Sequence, residues 1–213
     1  MKTPPTLLLI GADGQVGWEL QRTLAPLGRV VRATLDGRWE QAVNLADAES
    51  LTRLIRATQP DAVINAAAYT AVDKAESEPD LARRVNGDAP GLLGRLVAER
   101  QVPVLHYSTD FVFSGEAECP YREDDEPGPI NVYGATKLDG ENGLLDSGAP
   151  ALILRTSWVY GRYGQNFLLT MQRLLRERDE LKVVDDQVGA PTWARLLAEV
   201  SAQLLYRVLR GDI

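Results

Sequence analysis

Tyr133 and Lys137 stand four residues apart near the start of a predicted helix. Because residues i and i+4 share one face of a helix, the phenol and the ammonium group point the same way. Hydride reduction of a ketone leaves an alkoxide, which needs a proton donor beside it. A nearby ammonium group favours phenolate and lowers the pKa of the phenol. The pair therefore predicts proton transfer to a reduced carbonyl; the alternative is an ordinary solvated Tyr–Lys helix pair.

Polar residues also follow the apolar strand predicted over Val104–Ser108. Ligands of open parallel sheets bind at the carboxyl ends of strands, so we expect Thr109 and Asp110 to lie near Tyr133. Thr109 is predicted to donate a hydrogen bond to a substrate carbonyl. His106 is interpreted as a packed strand residue. Phe111 stands where a second carboxylate would abstract a carbon-bound proton, which favours simple reduction over dehydration or epimerisation.

A glycine-rich turn follows the first predicted strand, with the sequence Gly11-Ala-Asp-Gly14-Gln-Val-Gly17. Such a turn lets the backbone approach a pyrophosphate, and the helix that follows offers free N–H groups and a partial positive charge. The GxxGxxG spacing meets the general dinucleotide-binding fingerprint only loosely, but its position between strand and helix fits. The sequence predicts a dinucleotide site; the alternative is a tight turn without a ligand.

Asp36 lies about 20 residues beyond the glycine turn, where an acidic side chain often binds a ribose diol. Arg32 and Arg38 flank it and would equally suit a 2′-phosphate, so the choice between NADH and NADPH stays open. The alternative for Asp36 is an ordinary Asp-Gly turn.

The elements that position these residues alternate along the chain. Buried strands are predicted at Thr6–Ile10, Val30–Ala33, Ala62–Asn65, Val104–Ser108, Ala151–Thr156 and Leu181–Val184. Helices are predicted at Val16–Leu27, Asp47–Gln59, Leu81–Arg100, Tyr133–Asp146, Phe167–Arg178 and Arg195–Leu209. This alternation predicts an α/β fold: a Rossmann-like, doubly wound parallel sheet with helices on both faces. Gly115–Asn131 is predicted as a long loop. No linker divides residues 1–213.

Composition narrows the class of partner. The net charge is −7 and the pI about 4.9, so nucleic acid and anionic membranes are disfavoured as partners. Cys119 is the only cysteine, which excludes an internal disulfide and a multi-cysteine metal site. We find no signal peptide or membrane-spanning run and expect a cytoplasmic protein.

The chain resembles the dTDP-4-dehydrorhamnose reductases, a family of extended short-chain dehydrogenases/reductases. The resemblance runs from about residue 6 to about residue 205 and is carried by six segments: GADGQVGWEL, NAAAYTAVDKAE, YSTDFVFSG, NVYGATKLDGE, RTSWVYG and DQVGAPT. It implies that NADPH or NADH reduces the C4 ketone of dTDP-4-dehydro-6-deoxy-L-mannose to dTDP-L-rhamnose.

The resemblance also implies residue roles. Tyr133 would be the proton donor, Lys137 its partner and a cofactor ribose ligand, and Thr109 the hydroxyl at the carbonyl. Asp110 and Trp158 would face the sugar nucleotide; the alternative for Trp158 is core packing. The remaining cofactor contacts would come from Gly11, Gly14, Gln15, Val16, Gly17, Asp36, Asn44, Leu45, Ala66, Ala67 and Tyr107.

The sequence departs from the family in two respects. Asn44 stands where an Asp is common, near the adenine. Family members also continue past the position of Ile213, so we expect residues 157–213 to form only part of a substrate lobe. Some relatives bind Mg²⁺ at a dimer interface, to which Glu19 could contribute, but Arg195 stands where a second ligand would lie. We therefore predict no metal site, and a homodimer is compatible with the sequence.

Two other functions remain open at this point. A related nucleotide-sugar epimerase or dehydratase would share most of these motifs, although Phe111 argues against it. A non-catalytic dinucleotide-binding subunit is the third reading, because a regulatory subunit of methionine adenosyltransferase resembles the same family.

Overall fold

A parallel six-stranded sheet forms the centre of the computed structural model, which describes residues 3–213. Its strands are β1 (Thr6–Ile10), β2 (Arg29–Thr34), β3 (Gln41–Ala42), β4 (Ala62–Asn65), β5 (Val104–Thr109) and β6 (Ala151–Thr156). The spatial order is β3-β2-β1-β4-β5-β6. Every pair of neighbouring strands is parallel. The chain order reverses direction between β1 and β4, which is where doubly wound sheets open a crevice for ligands.

Helices connect these strands on both faces of the sheet, as predicted. They are α1 (Gln15–Leu24), α2 (Ala48–Thr58), α3 (Val72–Ala75), α4 (Pro79–Ala82), α5 (Ala89–Ala98), α6 (Val132–Leu145), α7 (Phe167–Glu177) and α8 (Ala194–Arg210). A π-helical turn, Arg83–Asp88, joins α4 to α5. Side chains of Asp47, Asn131 and Asn166 cap the first turns of α2, α6 and α7. Among residues 3–213, no helix is both long and apolar enough to cross a membrane.

The alternating side chains of the buried strands build two hydrophobic cores. Leu8, Ile10 and Val63 face one core, beneath α2 and α5. Leu7 and Leu9 face the other, beneath α1 and α8. Since both faces are covered, the strands read as continuous apolar runs, which is why the sequence revealed them.

One predicted strand is wrong. Leu181–Val184 has no regular structure, and the side chains of Val183 and Val184 are 51% and 70% exposed. An apolar run becomes a strand only where a neighbouring strand supplies hydrogen bonds, and none does so here. Instead, β7 (Val159–Tyr160) pairs with β8 (Thr192–Trp193) in a separate two-stranded sheet that the sequence did not reveal. The predicted loop at Gly115–Asn131 contains no helix or strand.

A buried ion pair fixes α6 against β6. The Arg155 guanidinium donates to Glu141 Oε1 at 3.1 Å and to Oε2 at 2.7 Å. The Glu141 side chain is 3% exposed and that of Arg155 is 24% exposed. The Arg155 guanidinium also lies over the Phe113 ring, 4.9 Å from its centroid. Removal of one partner would leave an uncompensated buried charge, so the pair secures the helix that carries Tyr133 and Lys137.

We expect Arg155→Met to lower the free energy of unfolding by about 3 kcal/mol, because Glu141 would remain buried without a cation. Arg53→Met is the matched control, since its two partners, Asp47 and Glu49, are exposed, and it should change the free energy by less than about 0.5 kcal/mol. Urea denaturation of both variants measures the difference. Equal effects of the two substitutions would contradict this account of the pair.

Candidate active site

The glycine turn packs tightly against the end of β4. Gly11 has a φ of +80°, and a Cβ built there would lie 2.7 Å from the Ala67 nitrogen. A Cβ at Gly17 would overlap the carbonyl oxygen of Gly11. Glycine is therefore required at both positions by the backbone itself. The turn closes through a hydrogen bond from the Gly14 N–H to the Gly11 carbonyl at 3.1 Å.

Helix α1 begins at this turn with an open N-terminus. Gly14 is its N-cap residue, and no side chain accepts a hydrogen bond from the first N–H groups, which belong to Gln15, Val16 and Gly17. A Cβ built on Gly14 would meet only the Gly11 oxygen, at 3.4 Å, whereas Gly164 packs on Gln15, with its Cβ position 3.8 Å from the Gln15 nitrogen. Free N–H groups and the helix dipole there suit an anion such as a pyrophosphate.

A cavity of about 290 Å³ extends from the turn along the ends of β1, β2 and β4. Four of the predicted cofactor residues line it: Gly11, Asn44, Leu45 and Ala67. Ala66, whose N–H donates to the Ile10 carbonyl, packs on the opposite side against the core under α1 and α8. Small side chains at the end of β4 keep this cavity open, and its position suits the adenosine half of a dinucleotide.

Asp36 lies outside the lining of this cavity. Its carboxylate accepts hydrogen bonds from the Thr34 hydroxyl at 3.0 Å, the Arg38 N–H at 3.1 Å and the Arg38 Nε at 2.6 Å. The Arg38 backbone N–H is the main reason that the pKa of Asp36 lies below its ordinary value. Asp36 thus lies in an Asp-Gly turn, and its role as a ribose ligand stays a prediction.

Thr109 and Tyr133 meet at the carboxyl end of β5. Thr109 is the last residue of β5, and Tyr133 lies in the first turn of α6. The Phe111 ring packs edge-to-face on Tyr133, with ring centroids 5.6 Å apart. Lys137 follows one helical turn later, and we refer to Thr109, Tyr133 and Lys137 together as the candidate trio. The structure thus brings these three predicted residues to one edge of the sheet.

The phenol of Tyr133 differs from the expectation in one respect. Burial raises the pKa of Tyr133, an interaction with the Thr109 hydroxyl lowers it, and the Asp110 carboxylate raises it further. The predicted lowering by Lys137 is absent, because the Lys137 ammonium group is directed to other partners. A raised pKa keeps the phenol protonated at neutral pH, which is the state that a proton donor requires.

Lys137 is buried under the edge of the sheet, with 2% of the residue exposed. Its Nζ donates to the Tyr107 carbonyl at 2.6 Å and lies 3.2 Å from His106 Nε2. Burial lowers the pKa of Lys137 to about 8, and the negative charge of Glu141 opposes that shift. The group is therefore a cation below about pH 8 and titrates unusually easily for a lysine.

Tyr107 contributes to this site through its backbone. Its hydroxyl pairs with the Ser201 hydroxyl on α8 at 2.7 Å, on the face of the sheet opposite α6. Ser201 in turn donates to the Leu197 carbonyl at 2.7 Å. The Tyr107 carbonyl, not its ring, is what contacts Lys137.

Asp110 and Trp158 lie at the outer rim of the site. Burial raises the pKa of Asp110, and hydrogen bonds from Thr109 and Ser157 oppose that shift. Trp158 is 47% exposed, so it is not a core residue, and its backbone has a φ of +45°. A Cβ at Gly189 would come within 2.7 Å of the indole ring, so the ring lies directly on that glycine. An exposed aromatic held in an uncommon backbone conformation is typical of a ligand-binding position.

Within the part of the chain that the structure describes, no three His, Cys, Asp or Glu side chains are grouped as metal ligands. Glu19 lies 3.9 Å from Arg22, and Arg195 pairs with Glu199 at 3.4 Å. The expectations about Mg²⁺ stay predictions.

The family model described as the RmlD substrate binding domain matches residues 5–212. A dTDP-4-dehydrorhamnose reductase of Burkholderia thailandensis is 48% identical over 204 residues, which cover 96% of this chain and 67% of the relative. The chain belongs to the dTDP-4-dehydrorhamnose reductase family.

Other members of the family agree in sequence and in fold. The dTDP-4-dehydrorhamnose reductase of Escherichia coli K12 is 47% identical over 93% of this chain and 66% of its own length. The crystal structure of the Bacillus anthracis reductase in complex with NADP superposes with a TM-score of 0.88 at 34% identity, covering 97% of this chain and 72% of that one. The chain spans about two thirds of the length of the curated relatives.

Several residues that shape the site of this family member were missed in the sequence. Asn86, in the π-helical turn, bonds both the N–H and the carbonyl of Tyr69, at 2.8 and 3.0 Å. Asn166 donates to the Gln15 side chain at 2.8 Å and so ties α7 to the glycine turn. Asn86 lies in the π-helical turn and Asn166 is the N-cap of α7. The sequence shows both asparagines, but their partners, Tyr69 and Gln15, are 17 and 151 residues away along the chain.

We expect Gly17→Ala to destabilise the protein by about 2 kcal/mol, because its Cβ would overlap the Gly11 carbonyl and force the turn apart. Gly128→Ala is the control, since its Cβ would meet only Ser114 Cβ, at 3.8 Å. Thermal unfolding measured side by side tests this. A Gly17→Ala protein as stable as the parent would show that the turn is looser than described.

Proposed function

We propose that this chain carries the reductase activity of its family: reduction of the C4 ketone of dTDP-4-dehydro-6-deoxy-L-mannose to dTDP-L-rhamnose. The names of the relatives support the substrate class. The observation that carries the proposal is the candidate trio, in which a protonated phenol and a hydroxyl meet at the carboxyl end of β5 above a buried lysine.

A reduced nicotinamide dinucleotide, when bound, supplies the hydride. In our proposal the N–H groups at the start of α1 hold its pyrophosphate, and the cavity beside β4 holds its adenosine. Lys137 orients its ribose. Binding of the pyrophosphate needs backbone N–H groups that no side chain already occupies, and the uncapped N-terminus of α1 supplies them.

The chain's own residues handle the oxygen and the proton. The Thr109 hydroxyl donates to the Asp110 carboxylate at 3.1 Å in the structure, and with substrate bound it would turn to the carbonyl oxygen and polarise the ketone. Tyr133 gives its proton to the developing alkoxide, which is a much stronger base than phenolate. Phe111, packed on Tyr133, offers no base to abstract a carbon-bound proton, which favours reduction over epimerisation.

We also propose that residues 157–213 form part of the lobe that contacts the sugar nucleotide. β7 and β8 make their own sheet beside the main one. α7 has no buried residue, and Phe167 is 66% exposed. Asp110 and Trp158 would face the sugar nucleotide at this rim. The cytoplasm as compartment and a homodimer remain parts of this proposal.

Tyr133→Phe tests the proton donor. We expect kcat to fall about 1,000-fold, because the ring is kept and only the donor is lost. Tyr206→Phe, on the exposed face of α8, is the matched control and should retain parent activity. The measurement is NADPH absorbance with the keto-sugar as substrate. Equal turnover of Tyr133→Phe and parent would remove Tyr133 from this role, and dinucleotide binding without turnover by the parent would favour the non-catalytic alternative.

We further propose that the dinucleotide is NADPH, with Arg38 as the ligand of its 2′-phosphate. Arg38 reaches towards the glycine turn, 3.8 Å from Asp13, and its side chain is 64% exposed. Both arginines are paired with a carboxylate, Arg38 with Asp36 at 2.6 Å and Arg32 with Glu40 at 2.7 Å. Arg32 differs in being only 32% exposed and in lying over Trp39. Asp36 accepts from the Arg38 Nε and the Thr34 hydroxyl and so fixes the position of the Arg38 guanidinium.

Accordingly, Arg38→Leu should raise the KM for NADPH about tenfold, through loss of one charge-assisted contact, and leave the KM for NADH nearly unchanged. Arg32→Leu is the control and should alter neither value by more than about twofold. Steady-state kinetics with both cofactors decides the matter. A larger effect of Arg32→Leu, or equal losses with NADH and NADPH, would refute the assignment.

A further inference from the structure

His106 is the only histidine of the chain, and the proposed reaction gives it no part. It lies in the middle of β5 and is 1% exposed. Its Nε2 is 3.2 Å from Lys137 Nζ, and its Nδ1 is 3.2 Å from the Asn65 side-chain amide. Asn65 ends β4 and is equally buried. The three side chains form a line from the end of β4 to the lysine of the candidate trio.

The ring is neutral in this position. Burial, and then the charge of Lys137, hold the pKa of His106 well below its ordinary value. A neutral imidazole has one N–H and one nitrogen that accepts. An ammonium group has three N–H donors, of which the Tyr107 carbonyl takes one. If His106 Nε2 accepts a hydrogen bond from the second N–H of Lys137, the third N–H is left to contact the bound cofactor.

In the structure Asn65 Nδ2 faces His106 Nδ1, and Asn65 Oδ1 accepts from the Ala67 N–H at 3.4 Å. Half a turn of the amide exchanges donor for acceptor towards the ring, at the cost of that long hydrogen bond. With Nδ2 towards the ring, as in the structure, the imidazole proton lies on Nε2 and a neutral Lys137 amine accepts it. With the amide oxygen towards the ring, the proton lies on Nδ1, and Nε2 accepts from the ammonium group. His106 therefore gives Lys137 a hydrogen bond in both of its charge states, and the charged one is the stronger.

Other charged groups near Lys137 act at longer range. Glu141 lies one helical turn further along α6 and raises the pKa of Lys137, but its carboxylate is bound by Arg155 of β6. Asp110 acts on Tyr133. Among the described residues, His106 and the Tyr107 carbonyl are the groups in hydrogen-bond contact with Nζ.

We propose that His106, matched by Asn65, is a positioning residue that holds Lys137 Nζ in place and stabilises its charged form. His106 does not touch the substrate and acts only through Lys137. This inference rests on the proposed function for its kinetic consequence, but the position and charge of Lys137 can be measured without any substrate.

The first experiment measures the titration of Lys137 directly. The chain has four lysines, so a protein labelled with ¹³C at lysine Cε gives four signals, and Lys137→Arg identifies the one that belongs to Lys137. His106→Phe keeps a ring but removes the acceptor, and should lower the pKa of Lys137 by about one unit. His106→Gln places an amide oxygen where Nε2 lies and should return the pKa close to that of the parent.

His106→Asn provides a second removal of the acceptor should the Phe variant fail to fold. Its shorter side chain keeps the contact with Asn65 and loses the one with Lys137, so the pKa should again fall. If the pKa of Lys137 is unchanged in His106→Phe and His106→Asn, which lack the acceptor, the proposal is overturned. A Gln variant with the same low value as these variants would overturn it as well.

The second experiment uses the pH dependence of turnover. Since Lys137 acts as the ammonium form, present below its pKa, loss of the acceptor should move the alkaline limb of kcat about one unit to lower pH. The Gln variant should restore the limb. A role in packing alone predicts lower thermal stability with an unmoved limb, and that result would overturn the proposal. A parent without turnover would refute the proposed function while leaving the NMR result to stand.

Discussion

The site depends on a lysine held almost entirely out of water. Burial of a cation is costly unless hydrogen bonds replace its hydration, and Lys137 has two such partners on β5, at 2.6 and 3.2 Å. The cost appears as a pKa near 8, well below that of a solvated lysine. Strand β5 and helix α6 must therefore stay in register with each other, and the Arg155–Glu141 pair on the next strand secures the same helix.

The glycine turn obeys a different constraint, which is steric. Gly11 and Gly17 are fixed by contacts of backbone with backbone, so no ligand is needed to explain them. What such contacts leave exposed is the uncapped start of α1. One local arrangement thus serves both backbone packing and anion binding. Because backbone N–H groups bind the anion, the turn needs no positive side chains, although the net charge of the chain is −7.

The sequence predicted those elements whose structure depends mainly on neighbouring residues in the chain. The apolar runs of β1, β4 and β5 were found because both faces of a parallel sheet are buried. Leu181–Val184 has the same pattern and is no strand, because a strand also needs a neighbour that the run itself does not specify. The spacing of Tyr133 and Lys137 correctly placed them on one face of α6. Whether Lys137 lowers the pKa of Tyr133, however, depends on which groups its ammonium group binds. The direction of that group is set by residues 30 positions away, which no local window contains.

Strand β5 has a further property, which concerns the specificity of folding. A strand with apolar side chains on both faces could slide by one residue with little loss of hydrophobic burial. In β5 the polar side chains forbid it, because His106 belongs to the face beneath α6 and Tyr107 to the face beneath α8. A slip by one residue would turn the phenol to the face of α6 and the imidazole to the face of α8. The polar side chains of β5 thereby select one alignment of the sheet.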